Sequence, residues 1–346
     1  MKELIKFPSI EQFRNVIKDV QFRAQTVGYD QDGKRVIDYD PKYPKLKFLG
    51  TVKIHGTNAC VASHEDDVWY QSRERIITPE SDNAGFATAM TVIPDQITDL
   101  FAQIRKHNID KGEHPVLIFG EWCGGNIQAN VGVTGLPKMF VVFSIKVNDE
   151  WLTREDFAKI TFPNEQKIFS IYDFPTWEIE IDFALPTLVQ NQLGELTLAV
   201  EAECPVAKHF GNSGVGEGIV WKCIAPFYNE SRYWFKVKGE KHSVSKVKTL
   251  APIDVEKVQS MNELIETVLT ENRLKQGIDK LQEMGKEISE KSTGDYLRWI
   301  HGDIVKEELD RIVASGFEPK DLGKPVSTKA RQWFFNYINS NPPVIQ

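Results

Sequence analysis

The sequence predicts an α+β protein in which a domain built on antiparallel sheets is followed by a small all-helical domain. Two short apolar runs rich in β-branched residues, Pro115 to Gly120 and Met139 to Val147, predict strands in the first part of the chain. The composition changes near Pro252, and beyond it apolar residues recur at helical intervals. We therefore expect the sheet domain to cover residues 1–250 and the helical domain residues 251–346.

The individual elements follow from local patterns. The stretch from Phe48 to Ala62, FLGTVKIHGTNACVA, predicts extended chain on both sides of a glycine, followed by a turn at HEDD. Lys53 would then lie where a strand meets a turn. Apolar residues at helical intervals between Ala84 and Arg105 predict a pair of helices, or one helix bent at Pro94.

The charge distribution limits what the protein can bind. Its net charge of −7 argues against indiscriminate coating of nucleic acid, which requires many Lys and Arg contacts to phosphates. Between Ser231 and Lys248, however, six basic residues stand against one acidic residue. The aromatic run from Tyr233 to Phe235 lies beside these charges and predicts a strand whose alternate side chains face a polyanion.

Cysteine and histidine spacing excludes the common zinc and redox sites. None of the four cysteines forms a C-x-x-C pair, and the seven histidines show neither H-x-x-x-H nor H-E-x-x-H spacing. Any metal would therefore be held by carboxylates, phosphates and water, as Mg²⁺ and Mn²⁺ are. No apolar run reaches the roughly 20 residues of a membrane span, so we expect an intracellular, cytoplasmic protein.

Lys53, in the run KIHGTN, is the strongest candidate nucleophile. A lysine amine attacks only when it is neutral, and its ordinary pKa of about 10.4 keeps it protonated at neutral pH. Lys236, Lys238 and a divalent ion would lower that pKa and would also neutralise a triphosphate. Attack on an α-phosphorus, with pyrophosphate leaving, would give a covalent lysyl-nucleotide.

Three further residues could complete such a site. Glu217 could orient a metal or its water, Glu121 could bind a ribose hydroxyl, and Phe143 could stack on adenine. A plainer interpretation makes Glu121 a surface residue and Phe143 a core residue. The loop FGNSGVGEG, which contains Glu217, lacks the G-K-[ST] ending of a P-loop and leads into the strand-like run IVWK without a helix. Its glycines therefore predict a tight turn that orients the Glu217 side chain.

These segments, in chain order, resemble the motifs of covalent nucleotidyltransferases and most closely those of the RNA ligase 2 family. The matching segments are KIHGTN, the SRE of YQSRE, FGEW, VVFSI, EGIVWK and WFKVKGEK, and they span roughly residues 45–245. The family includes phage ligases that seal nicks in duplex RNA and the RNA-editing ligases of trypanosomes. His55 stands where DNA ligases and capping enzymes usually have aspartate, which favours an RNA ligase.

The resemblance implies an ATP-dependent RNA ligase that uses Mg²⁺ or Mn²⁺ and joins RNA 3′-hydroxyl and 5′-phosphate ends. Lys53 would carry AMP covalently before its transfer to RNA. The implied ATP-binding and AMP-binding residues are Val52, Lys53, Ile54, Asn58, Arg73, Glu121, Phe143, Glu217, Lys236 and Lys238. His55, Gly56 and Arg75 would support the site or align the RNA ends. Glu217 would serve the metal, directly or through water.

The resemblance also implies a monomer that acts on nicked duplex RNA, with the helical domain helping to place the substrate. A phage-encoded protein acting in the host cytoplasm is compatible with it. The natural RNA remains open between a duplex nick, a broken tRNA and a single strand. The alternatives in function are a DNA ligase or a capping guanylyltransferase that uses the same lysine, and an RNA-binding relative without activity.

Two assignments inside the motifs stay open. Relatives often have aspartate after the stacking aromatic residue, where this chain has Ser144, so either Phe143 or Phe140 could be the stacking ring. Arg75 lies two residues from Arg73 and would project to the same face of a strand, so either could be the motif arginine.

Overall fold

The structure is a computed structural model that describes residues 2–65, 67–108, 110–242 and 261–341. The chain divides into two compact units between Lys241 and His242. The domain boundary predicted at residues 250 and 251 lies outside the described residues. The limits of the two domains therefore stay a prediction.

The described residues form strands in the first unit and helices in both. The strands are β1 (Glu11–Gln12), β2 (Thr26–Tyr29), β3 (Arg35–Ile37), β4 (Lys45–Lys53), β5 (Thr57–His64), β6 (Asp67–Ser72), β7 (Ile76–Ile77), β8 (Val116–Cys123), β9 (Met139–Val147), β10 (Glu150–Trp151), β11 (Ile168–Ser170), β12 (Thr176–Asp182), β13 (Gly218–Cys223) and β14 (Phe235–Lys238). The helices are α1 (Phe13–Ala24), α2 (Phe86–Thr91), α3 (Pro94–Asn108), α4 (Arg154–Phe157), α5 (Gln190–Ala202), α6 (Pro205–His209), α7 (Met261–Val268), α8 (Glu271–Glu283), α9 (Thr293–Ala314) and α10 (Gly323–Ser340).

The first sheet has the order β1, β14, β13, β4, β12, and all its neighbours are antiparallel except β1 and β14. Helices α1 and α5 lie against it. The face of the sheet that bears Phe48, Trp221 and Phe235 is fully buried. Gly50 allows this packing, because a side chain at that position would overlap the indole ring of Trp221.

The second sheet has the order β10, β9, β8, β5, β6, β7, with β11 added beside β9. One face packs against α2 and α3 in a core that includes Phe86, Ile118 and Val142. The opposite face carries a second apolar cluster that also takes in Phe7 and Trp234. Both faces are therefore covered, and β2 and β3 form a separate hairpin.

The second unit is helical, with a core formed by the apolar faces of α7 to α10. Arg273 is buried within it and donates hydrogen bonds to the Val268 carbonyl and to the carboxylates of Asp303 and Glu308. A buried guanidinium needs such partners, so this network ties α8 to α7 and α9. Among the described residues, no helix is long and apolar enough to cross a membrane.

The α+β class and the antiparallel sheets predicted from the sequence are confirmed. Lys53 is the last residue of β4, and Pro94 is the first residue of the second of two helices. One detail of the prediction was wrong: Tyr233 belongs to a short 3₁₀ turn, and the strand starts at Phe235. The reason is local packing, because the ring of Tyr233 stacks on Phe227 with centroids 4.6 Å apart.

Candidate functional site

The site begins with the order of three strands. Strand β13 lies between β4 and β14, and the register places Gly218 opposite Lys53 on one side and opposite Lys238 on the other. Glu217 directly precedes Gly218. The two lysines and the glutamate therefore meet at the same end of the first sheet.

Glu217 joins the two lysines through its two oxygens. Lys53 Nζ lies 2.7 Å from Glu217 Oε2, and Lys238 Nζ lies 3.0 Å from Glu217 Oε1. The side chain of Glu217 is only 9% exposed, so water screens these ion pairs weakly. We call Lys53, Glu217 and Lys238 the lysine–glutamate cluster.

The cluster shifts the pKa of its members. Burial lowers the pKa of Lys53, an effect that the nearby charge of Glu217 opposes and that of Lys238 strengthens. Burial alone would raise the pKa of Glu217, but the charges of Lys53, Lys238 and His55 hold that pKa well below its ordinary value. The carboxylate is therefore ionised, and the Lys53 amine is easier to deprotonate than an exposed lysine.

Two glycines let the chain close around the cluster. Gly218 has φ +147°, and a side chain there would overlap the Val237 carbonyl on β14. At Gly56, in the turn after Lys53, a Cβ would lie 2.9 Å from Glu121 Cγ and would overlap the Trp122 carbonyl. Gly56 thus brings the turn that holds His55 close to β8.

The neighbouring side chains follow from strand alternation. Phe235 and Val237 are buried, while Lys236 and Lys238 project to the opposite face of β14. In the second sheet, Asn58 on β5 is the register partner of Glu121 on β8. The charge of Glu121 raises the pKa of Lys53, so Glu121 also lies near the cluster.

Lys53 is half-buried, whereas the residues directly before and after it are buried. Val52 and Ile54 are both buried, at 3% and 5% exposure. Their side chains belong to the core, so any contact they make with a nucleotide must come from their backbone groups. His55 and Gly56 are half-buried and lie in the turn between β4 and β5.

The two candidate aromatic residues lie in different surroundings. Phe140 is 1% exposed and packs against Phe86 in the core beneath α2. Phe143 is half-buried and is the extra residue of a β-bulge, since Phe119 pairs with Ser144 and the next residue pairs with Val142. Its ring lies in the apolar cluster on the other face of the second sheet, beside Phe7. Of the two rings, Phe143 has the surface that a base could use.

The two candidate arginines also differ. Arg75 donates to the Ser81 carbonyl at 2.6 Å and to the Asp82 carbonyl at 2.7 Å, so its guanidinium holds the loop before α2. Arg73 is half-buried and forms no hydrogen bond or ion pair with the other described residues. The structure joins neither arginine to the lysine–glutamate cluster by a hydrogen bond.

Sequence reasoning missed two residues near the site. Lys222 lies on β13 within the EGIVWK motif, and the period of two from Gly218 could have placed it on the same face. Glu201 on α5 is 6% exposed and accepts a hydrogen bond from the backbone N–H of Lys241, 2.7 Å away. No sequence signal identifies Glu201, because its partners are distant in the chain.

Metal ligands supplied by the protein are few. Within the described residues, no group of three or more His, Cys, Asp or Glu side chains is arranged to hold a metal. Glu217 and Glu121 are the two carboxylates among the described residues whose charges raise the pKa of Lys53 most. This donor set fits an ion bound mainly by phosphates and water, which is how Mg²⁺ usually binds.

The lysine–glutamate cluster at the strand ends of the first sheet is the candidate active site, and the sequence shows the family to which the chain belongs. The profile of the RNA ligase family matches residues 46–238, which is more than half of the chain. The chain belongs to the RNA ligase family. The match contains the whole lysine–glutamate cluster and all other predicted site residues.

Solved structures of an RNA ligase from Naegleria gruberi are similar to part of this chain. A variant with ATP and Mn has 16% identity and a TM-score of 0.43, and the match covers 68% of this chain and 57% of that one. The structure with PPi has 17% identity and a TM-score of 0.40 over 68% of this chain and 56% of that one. The chain thus spans less than two thirds of their length. No curated protein matches it.

Proposed function

We propose that this protein is an ATP-dependent RNA ligase that works through a covalent lysyl-AMP on Lys53. The observation that carries the proposal is the lysine–glutamate cluster, in which a lysine of lowered pKa is paired with a buried carboxylate and a second lysine. Family membership gives the substrate class, since the matched family joins RNA.

The chemistry of the first step follows from these groups. The amine of Lys53 gives a proton to solvent water and attacks the α-phosphorus of ATP, forming an N–P bond as the P–O bond to pyrophosphate breaks. Lys236 and Lys238 neutralise the phosphate oxygens as negative charge moves to the leaving group. Glu217 holds Lys53 in place before the attack. Phe143 stacks on the adenine, and Glu121 binds a ribose hydroxyl.

A divalent ion would supply further neutralisation of the triphosphate. Glu217 would reach it directly or through water, and the phosphates and water would fill its remaining positions. Mg²⁺ and Mn²⁺ both suit such oxygen donors.

Two further steps would complete the ligation. A phosphate oxygen at an RNA 5′ end attacks the phosphorus of lysyl-AMP, and the N–P bond breaks to free Lys53. The RNA 3′-hydroxyl then gives its proton to solvent and attacks the 5′-phosphate, forming the phosphodiester bond as the P–O bond to AMP breaks. A nick in duplex RNA is the proposed substrate, with residues 1–250 as the adenylyltransferase domain and residues 251–346 helping to place the RNA.

Labelling tests the first step. Incubation with α-labelled ATP and Mg²⁺ should leave the label on the protein through an acid-labile bond, and Lys53→Ala should abolish the labelling. Lys47→Ala is the matched control, because Lys47 lies on the same face of β4 and is exposed. Equal labelling of the Lys53→Ala protein would refute the proposal.

A second assay separates the related activities. Labelled GTP in place of ATP tests for a guanylyltransferase, and nicked DNA in place of nicked RNA tests for a DNA ligase. Nicked duplex, gapped duplex and single-stranded RNA, each with a 5′-phosphate, identify the preferred substrate. RNA binding without any lysyl-AMP would instead indicate an inactive relative.

A further inference from the structure

Lys222 places an ammonium group inside an aromatic cluster. Its Nζ lies 4.6 Å from the centroid of the Trp234 ring and 5.8 Å from those of Phe7 and Phe143. It donates hydrogen bonds to the Phe143 carbonyl, at 3.0 Å, and to the Ser144 hydroxyl. Among the described residues, both hydrogen-bond acceptors of this ammonium group therefore lie at the bulge of β9.

This lysine has no carboxylate partner among the described residues. Burial alone lowers the pKa of Lys222 to about 7. Lys222 is half-buried, and an ammonium group that lies among aromatic rings without a counter-ion opposes folding. A methionine of similar length would fill the same space without that cost. Packing therefore does not explain a lysine at this position, which points to a role in function.

Lys222 lies too far from Lys53 to act on the reacting phosphate. The register sets Gly218 opposite Lys53 and Lys222 opposite Leu49, a separation of about 13 Å along the strands. At that distance, Lys222 can influence nucleotide binding through its hydrogen bond to the Phe143 carbonyl. In the proposed function, the nucleotide base stacks on Phe143.

We propose that Lys222 is a positioning residue that holds the Phe143 bulge so that the Phe143 ring can stack on a purine. The inference rests on the proposed function, because it needs a nucleotide base at Phe143. The extra residue of a bulge is left unpaired in the sheet, so its backbone can rotate. Lys222 fixes the backbone of Phe143 by donating a hydrogen bond to its carbonyl. Phe7 fixes the ring of Phe143 by an edge-to-face contact, with the two ring centroids 5.0 Å apart.

The test measures ATP binding separately from chemistry. In a Lys53→Ala background, the ATP dissociation constant measured by calorimetry should rise about tenfold with Lys222→Met, the size expected for a lost charged contact. In the protein with Lys53 intact, the same substitution should raise the ATP concentration that gives the half-maximal rate of self-adenylation and leave the maximal rate constant unchanged. An unchanged dissociation constant, or a loss confined to the maximal rate constant of self-adenylation, would overturn the inference.

Three comparisons distinguish positioning from a general structural role. Phe143→Ala should also weaken ATP binding, and adding Lys222→Met to it should cause no further loss, because Lys222 acts through Phe143. Additive effects would contradict this. Lys146→Met is the matched control, since Lys146 lies over the Trp151 ring, 5.3 Å from its centroid, and should bind ATP as the parent does.

The inference and the proposed function fail in different ways. Wild-type protein that binds ATP but takes no label contradicts the proposed function, while the effect of Lys222→Met on binding still decides the inference. Lys222→Met should also unfold at a higher urea concentration than wild type at pH 6. A less stable Lys222→Met protein would show that the lysine is structural and would overturn the inference.

Discussion

Lys53 and Lys222 both have a lowered pKa, but their surroundings differ. Lys53 keeps a carboxylate partner at 2.7 Å, so its charge is partly compensated. Lys222 has aromatic rings, a carbonyl and a hydroxyl, and none of these carries a negative charge. The positive charge of Lys222 should therefore destabilise the folded state more than that of Lys53.

The pH dependence of stability should reveal Lys222. Its pKa is about 7 in the folded protein and about 10.4 in an unfolded chain, so the unfolded state binds more protons between these values. The stability of wild type relative to Lys222→Met should therefore rise as the pH increases from about 7 to about 10. Urea unfolding of both proteins across this range measures the difference.

The comparison with Lys222→Met is needed because other groups titrate in the same range. Burial raises the pKa of Cys60 and Cys123, which makes the fold less stable as the pH rises. Both proteins share these thiols, so their contribution cancels. A stability difference that stays constant with pH would show that Lys222 has an ordinary pKa.

Helix α5 holds two strands of the site at their ends. The Glu201 carbonyl accepts from the Gly216 N–H at 3.3 Å, just before Glu217, and its carboxylate accepts from Lys241, just beyond β14. The Gly239 N–H donates to the Glu217 carbonyl at 3.0 Å. A side chain at Gly239 would overlap Glu201 Oε1. Glu201 therefore sets the positions from which Glu217 and Lys238 reach Lys53.

Removing this support should slow self-adenylation. Glu201→Ala should lower the maximal rate constant of self-adenylation by roughly ten- to a hundredfold, because a small displacement of the reacting groups slows the reaction. Glu201→Gln keeps an acceptor for the Lys241 N–H and should recover most of the rate. Glu203→Ala is the control, since Glu203 lies just beyond α5 and pairs with the exposed Lys208. Equal rates in Glu201→Ala and wild type would exclude this support.

The sequence predicts the elements better than their arrangement. Short apolar runs rich in β-branched residues locate β8 and β9, and the extended pattern on both sides of the glycine in KIHG locates β4 and the turn after Lys53. The order that puts β13 between β4 and β14 depends on pairings far apart in the chain, which local patterns do not encode. The bulge at Phe143 and the support from Glu201 depend on the same long-range contacts.

Over the whole molecule, the net charge is negative, but individual elements carry local groups of basic residues. From Pro252 onward, 13 basic residues stand against 16 acidic ones, so a count gives no sign of RNA contact. Helix α10 nevertheless contains three basic residues and no acidic residue. Lys324 and Arg331 are exposed and lie seven residues apart on one face, with the exposed Phe335 one turn beyond. Neither basic side chain forms an ion pair with the described residues.

We expect this face of α10 to contact RNA phosphates. Changing both Lys324 and Arg331 to alanine should reduce the sealing of nicked duplex RNA and leave self-adenylation by ATP unchanged, because the proposed ATP-binding residues all lie in the first unit. In a plot of the logarithm of RNA affinity against the logarithm of salt concentration, the slope should become less negative by about 1.4 to 1.8 for two lost phosphate contacts. Filter binding at several salt concentrations, with nick sealing in parallel, measures both effects.

The control must remove the same charge from paired lysines. Lys275 pairs with Glu271 at 2.9 Å and Lys320 pairs with Glu318 at 2.6 Å, so both are already neutralised locally. Changing both to alanine removes two positive charges from the same unit and should leave the salt dependence unchanged. Equal loss of affinity in both double variants would show that RNA responds to net charge, whereas loss only at Lys324 and Arg331 assigns the contact to α10.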